Sequence, residues 1–188
     1  MSNLITRTTE LAMSVTLSYV SPGDRVIDAT CGTGQDTAIL SEAVGEQGEV
    51  FAFDIQDKAL ELTRARLADQ GAKNVKLIKG SFVTMGEYVS EGIASAVVFN
   101  LGYLPGGDHS ITTIADETLE GLKAAIKVIR HGGIVTVVLY DGHEAGSEEK
   151  KSVLDWAGAL DAREYHAAYV NLINQPNHPP EILWITKK

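Results

Sequence analysis

Short apolar runs alternate with stretches of helical periodicity along the chain. Residues 25–29, 49–54, 75–79, 94–100 and 134–140 have the length and composition of strands. Helical spacing marks residues 4–19, 35–44, 58–70, 111–130 and 147–160. Breakers separate them: Ser21-Pro-Gly-Asp24, Gly45 with Gly48, Gly71, and His131-Gly-Gly133. Ser147 is placed to cap the last helix. Strand and helix in alternation predict a parallel α/β sheet, and the unbroken apolar run 134–140 predicts a central strand covered on both faces. Two further strands, 164–172 and 181–186, have only residues 173–180 between them. That connection is too short for a parallel crossover, so the pair is expected to be antiparallel. The expected fold is α/β: a mostly parallel seven-stranded sheet closed by a C-terminal antiparallel hairpin.

Composition narrows the class. A chain of 188 residues, 44% hydrophobic and 22% charged, suits one domain spanning 1–188 with a full core. No apolar run approaches bilayer length, so no membrane partner is expected. The first residues show no signal-peptide pattern, and a lone cysteine, Cys31, excludes an intrachain disulfide framework and suits a reducing cytoplasm. The net charge of −9 argues against a broad electrostatic grip on nucleic acid but leaves room for a local basic contact. Arg7 and Lys150-Lys151 are the candidates for one, or are plain solvated surface. A homodimer remains open.

The most informative stretch is Asp28-Ala-Thr30-Cys-Gly32-Thr-Gly34-Gln35-Asp36, between the first strand and its helix. Gly32 and Gly34 allow close backbone approach to a ligand at a helix N-terminus. Asp28 before the turn repels a dinucleotide pyrophosphate and attracts a cationic amino group and sulfonium, which favours S-adenosylmethionine (SAM) over NAD. Thr37 stands where the dinucleotide fingerprint has its third glycine. Asp54 ends the second strand, where it can accept bonds from both ribose hydroxyls, with Ile55 and Gln56 beside it. Ser81 and Phe82 follow the third strand and either form an adenine wall or, for Phe82, a plain core aromatic. Cys31 reads as a small residue tolerated in the turn, not a nucleophile.

Reaction chemistry is expected after the fourth strand, in Asn100-Leu101-Gly102-Tyr103-Leu-Pro-Gly-Gly-Asp108-His109. An amide three residues before an aromatic is similar to the D/N-P-P-Y pattern of amino-group methyltransferases. There the amide oxygen and a backbone carbonyl hold the target amine and the aromatic stacks on the base. Leu101 and Gly102 replace the two prolines. An alkylammonium acceptor must lose a proton before it attacks, and Asp108, His109 or water can take it; Asp108 also fits a helix cap. Tyr140 and His143 after the fifth strand, and Asn174 and Gln175 between the last two, are candidate substrate contacts. Asp141, His143 and Glu144 fit no metal template, and no metal is expected.

DATCGTGQDT, FDIQ, NLGYLPGGDHSITT, YDGHEAGSEE and NQPNHPP together resemble the bacterial family long labelled rRNA methylases, whose characterised members are tRNA 5-aminomethyl-2-thiouridine methyltransferases. The resemblance covers nearly the whole chain. Thr30 stands where many class I methyltransferases have their first glycine. It implies a Rossmann-like fold, SAM as methyl donor, and the anticodon arm of tRNA as partner. It also implies a primary amine on the wobble uridine as acceptor. Methylation of rRNA or of a small-molecule amine is the alternative.

Overall fold

The computed structural model describes residues 7–101, 115–140, 144–175 and 179–188. The elements follow as α1 (Thr8–Leu17), β1 (Arg25–Asp28), α2 (Gln35–Val44), β2 (Glu49–Asp54), α3 (Asp57–Asp69), β3 (Val75–Lys79), a 3-10 turn (Phe82–Glu87), β4 (Ala94–Asn100), α4 (Ala115–Val128), β5 (Ile129–Leu139), α5 (Glu144–Gly158), β6 (Tyr165–Val170) and β7 (Glu181–Lys187). The seven strands form one sheet in the order β3-β2-β1-β4-β5-β7-β6. β1 to β5 run parallel; β7 joins β5 antiparallel, and β6 joins β7 antiparallel. The expected α/β fold with its closing hairpin is therefore observed.

Strand side chains alternate between two cores, as the two-residue period of a strand requires. Val26, Val50, Ala96, Val98 and Ile134 face α1 and α2, packing with Met13, Leu40 and Val44. Ile27, Phe51, Phe53, Val97, Phe99, Val135 and Val137 face the opposite way, toward Met85, Leu122, Ala125, Val128 and Val153. Thr136, in the middle of β5, points to α1, where its hydroxyl meets that of Thr16 at 2.6 Å. Both hydroxyls are buried, so each supplies the partner the other needs.

The boundary between α4 and β5 departs from expectation. His131-Gly-Gly133 was expected to end a helix reaching residue 130. Instead the helix stops at Val128, and Ile129 already pairs with Ala94. The register then jumps, with Ile134 opposite Ala96. The glycines serve a bulge inside the strand. Gly132 has φ +72, and a Cβ on Gly133 would stand 2.9 Å from the Arg130 carbonyl oxygen and 3.1 Å from that of Ala94. Arg130 ties the bulge to the loop before β1, donating to both carboxylate oxygens of Asp24 at 2.8 and 3.0 Å.

One consequence of the topology bears on function. Leu139 pairs with Glu181 and Ile182 with Val170, so the connection from β6 to β7 lies at the same sheet edge as the C-terminal ends of the parallel strands. Asn174 and Gln175 belong to that connection.

Candidate active site

Asp28, Asp54 and Asn100 end β1, β2 and β4 side by side, at the carboxyl edge where open α/β sheets bind ligands. The glycine turn is laced to both neighbours of β1. The Gly32 N–H donates to Asp54 Oδ2 at 3.0 Å, and the Cys31 N–H donates to the Phe53 carbonyl at 2.9 Å. On the other side the Asn100 N–H donates to Thr30 Oγ1 at 2.8 Å. Thr30 thus does by side chain what a first glycine would not do: it fastens the turn to β4.

Asp28 is 1% exposed, and both its oxygens are engaged. It accepts from the Thr37 hydroxyl at 2.6 Å and from the Thr30 N–H at 3.2 Å. Its side chain is thus enclosed by the turn's own bonds. Thr37 earns its place at the expected third-glycine position by holding this carboxylate. Gly34 also differs in its reason. Its φ is +78, and a Cβ there would lie 2.8 Å from the Thr63 Cα on α3. Its left-handed backbone and the close packing of α3 both require glycine here. Thr63 carried no signal in the sequence, yet its hydroxyl donates to the Gly32 carbonyl at 3.1 Å.

Three carboxylates share this edge. Burial, then the Asp36 charge, pushes the Asp28 carboxyl up to about 7, against the pull of Thr37 and Thr30. Asp36 is raised by burial and held back by the Asn100 side chain. Burial also raises Asp54, opposed by the N–H groups of Gln56, Gly32 and Ile55. Among the described residues, none of the ion pairs involves any of the three. Such a site suits a cationic ligand. Asp54 keeps spare acceptor capacity, and Ile55 beside it is 51% exposed, an apolar surface at the ligand edge. Gln35 is exposed in the first turn of α2, and Gln56 gives its N–H to Asp54 at 2.9 Å.

The Asn100 amide near Asp36 and Tyr140 lowers the pKa of each against the effect of burial. Tyr140, just beyond β5, is 37% exposed. Burial, then the nearby Asp36, raises its pKa. The sequence singled out these three residues without showing that they share one edge.

Phe82 is corrected. It is 6% exposed, packs edge-on against Phe99 with centroids 5.4 Å apart, and fills the space a Gly121 Cβ would need. It is a core aromatic, not an adenine wall. Ser81 caps the 3-10 turn, and its hydroxyl donates to Glu117 at 2.5 Å. Leu101 is buried, with its N–H on the Val138 carbonyl at 3.0 Å. Asn174 and Gln175 are exposed and bonded to each other at 3.3 Å. Cys31 is buried, and burial pushes its thiol up to about 12, which suits a packing residue. Lys150 pairs with Glu181 at 3.1 Å with little exposure, so it is no free RNA contact; Arg7 pairs with Glu10 at 2.7 Å at the surface. Lys151 is exposed. Gly102, Tyr103, Asp108, His109, Asp141 and His143 lie outside the described residues. Among the described residues no cluster has the makings of a metal site, and no helix is long and apolar enough to cross a membrane.

Comparison with known proteins agrees with this geometry. Residues 50–186 match the family model described as "Putative rRNA methylase", and residues 2–85 match that of the protein-L-isoaspartate O-methyltransferases. A chloroplastic tRNA (mnm(5)s(2)U34)-methyltransferase of Arabidopsis thaliana is 40% identical over 92% of this chain and 67% of its own. A solved structure from Clostridium thermocellum with the same rRNA-methylase description is 41% identical, with a TM-score of 0.94 over 100% of this chain and 99% of its own. A "putative methyltransferase" from Streptococcus mutans, solved in complex with SAH, is 34% identical, with a TM-score of 0.89 over 100% of both chains. A sheet closed by an antiparallel hairpin, an acid at the end of each of the first two strands and a cation-seeking glycine turn are what SAM binding asks of this fold. The chain belongs to the rRNA-methylase family of class I SAM-dependent methyltransferases.

Proposed function

We propose that this methyltransferase acts on the primary amine of 5-aminomethyl-2-thiouridine at the tRNA wobble position, giving the 5-methylaminomethyl product. The observation that carries the proposal is the placement of Asn100. Its backbone N–H is fixed by Thr30 at 2.8 Å at the end of β4, and its amide lowers the pKa of the nearby Asp36 carboxyl and Tyr140 phenol. A fixed amide beside an ionisable oxygen is a receptor for an N–H donor. The 40% identity to the Arabidopsis enzyme, whose name specifies this tRNA position, supports the same acceptor.

The residues fit the cofactor. SAM supplies a methyl group on a positively charged sulfur. Asp54 accepts the Gly32 and Gln56 N–H groups and is steadied by that of Ile55, and a carboxylate's two oxygens offer about four acceptor sites, so capacity is left toward the ribose hydroxyls. Ile55 flanks the adenine. Thr30, Gly32, Gly34, Gln35 and Gln56 shape the turn, and Asp28 lends its charge. Leu101, buried just beyond β4, and Gly102, next in sequence, are assigned to the cofactor side. Tyr103, His143, Asn174 and Gln175 are assigned to the substrate side, and Asp108 with His109 to the same loop as Tyr103. The chain works as one domain over residues 1–188, and its lone buried cysteine suits a reducing cytoplasm.

One observation favours a second acceptor: the net charge of −9 suits a small-molecule amine better than a polyanion. Labelled SAM with tRNA lacking the modification, with rRNA, and with a metabolite pool separates the possibilities. Nucleoside mass spectrometry is expected to find the methyl on the exocyclic amine of the wobble base. Label on rRNA, on a ring carbon or on a ribose oxygen would refute the acceptor.

A further inference from the structure

We propose that Arg66, on α3, is a positioning residue for SAM: its guanidinium holds the Thr33 carbonyl and so fixes the glycine turn in its binding shape. It acts through the turn and not on the reacting atoms. The proposal concerns the methyl donor alone, so it stands whichever group is the acceptor.

α3 presents two donors to the turn. Thr63 and Arg66 are three residues apart and therefore share one face of the helix. The Thr63 hydroxyl donates to the Gly32 carbonyl at 3.1 Å, and the Arg66 Nε–H donates to the Thr33 carbonyl at 2.8 Å. The flanking carbonyls are taken from within the chain's own turn and helix. That of Cys31 accepts the Gly34 N–H at 2.7 Å, and that of Gly34 accepts the Ala38 N–H at 3.0 Å. Four successive carbonyls thus have donors, and their peptide planes are fixed. The same stretch carries the Gly32 N–H, which goes to Asp54 at 3.0 Å. Asp54 is the carboxylate assigned to the ribose hydroxyls. A turn that shifts takes this partner away from it.

Of these donors, Arg66 is the one exposed side chain; Thr63 is buried and the other two are backbone groups. Arg66 lines a cavity of about 470 Å³ together with Thr33, Leu62, Asp69 and Gln70. None of the ion pairs among the described residues includes it, so the Thr33 carbonyl is the partner that accounts for an arginine here. The planar guanidinium gives up less freedom per bond than a lysine ammonium would. Without it, water reaches the Thr33 carbonyl through the cavity and the turn loses its outer restraint. SAM must then order the turn as it binds, and that ordering is taken from its affinity.

The test uses the full chain and calorimetry with SAM and S-adenosylhomocysteine. Arg66→Ala is expected to weaken both by about tenfold, the scale of one charge-assisted hydrogen bond. Turnover at saturating SAM, read on the RNA or metabolite fraction that wild type labels, is expected to stay within about twofold, since only binding is lost. Arg64→Ala, an exposed arginine of the same helix, is expected to change neither, which sets aside the loss of positive charge as such. Guanidinium chloride far below denaturing concentration is expected to restore most of the lost SAM affinity of Arg66→Ala, because the emptied cavity admits the ion beside the Thr33 carbonyl. Sodium chloride at the same concentration is expected to restore none. A role confined to stability would not be rescued by a denaturant. Unchanged SAM affinity in Arg66→Ala overturns the proposal. So does a loss that guanidinium restores no better than sodium, and so does a turnover loss that persists at saturating SAM, since that places Arg66 at the chemistry.

Discussion

A carboxylate in this site is judged by what its two oxygens already hold. Asp54 accepts from the Gly32 and Gln56 N–H groups at 3.0 and 2.9 Å with the Ile55 N–H beside them, and it is only partly buried, so it keeps capacity toward a ligand. Asp54→Ala is expected to weaken SAM binding by about 1.5–3 kcal/mol, the scale of a hydrogen bond to a charged group; unchanged affinity by calorimetry would remove Asp54 from the site. Asp28 differs in burial: it is 1% exposed, takes its two donors from within the turn, and has its carboxyl raised to about 7, so it is about half protonated at pH 7. Between its unfolded value near 4 and about 7 the folded protein binds the extra proton, so this group's contribution to stability is full at low pH and is lost as pH rises through 7. SAM binding has the opposite sign, because a cation favours the ionised carboxylate. Affinity is expected to rise between pH 6 and pH 7 by up to about tenfold, with proton release on binding. Asp28→Asn is expected to abolish the rise; titrations in buffers of different ionisation enthalpy measure it, and a pH-independent affinity in wild type would contradict it. Asn100→Ala is expected to slow turnover by about 100-fold with little change in SAM affinity, because orientation of the acceptor is what is lost. Single-turnover rates near wild type would show that the amide does not hold the acceptor.

Elements set these residues in place, and they differ in how much the sequence revealed of them. The strands were legible because short apolar runs and the turn residues bounding them act locally: β2, β3 and β4 fall where those runs predict. The antiparallel hairpin followed from loop length alone. What the sequence concealed depends on contacts between distant segments. His131-Gly-Gly133 looks like a helix stop, but its glycines are chosen by the carbonyls of Ala94 and Ser95 on β4, 3.1 Å from a notional Cβ. Phe82 follows a strand like a ligand-stacking residue, yet the absent Cβ of Gly121 draws it into the core. That Asp36, Asn100 and Tyr140 share one sheet edge needed the strand order to be known. Gly34 shows the same dependence, and it can be tested at the level of the α2–α3 pair. Gly34→Ala is expected to cost about 1–2 kcal/mol from the left-handed backbone alone, and more from collision with Thr63. The collision is with the Thr63 Cα at 2.8 Å, so Thr63→Ala is expected not to restore stability. A urea melt of the double variant with the wild-type midpoint would show that α3 simply moves aside.

At the scale of the whole molecule, the proposed acceptor requires an acidic protein to bind a polyanion. A net charge of −9 repels RNA at long range, so attraction must come from a few close contacts and from the acceptor amine, the one cation on the wobble base. The acidic edge formed by Asp28, Asp36 and Asp54 then works as a filter, since it welcomes an ammonium and rejects the phosphates around it. A small footprint follows. A protein of 188 residues reaches the anticodon arm more readily than the distant acceptor stem, so an isolated anticodon stem-loop with the aminomethyl base is expected to be methylated nearly as fast as whole tRNA. Few phosphate contacts also mean little counterion release. The slope of log affinity against log salt is expected to be shallow, near −3 for about three or four phosphates. Filter-binding of the stem-loop across a salt series reads the slope directly. A slope several times steeper would reveal a basic surface engaged by the RNA, and a stem-loop that is not methylated would extend the recognised surface beyond the anticodon arm.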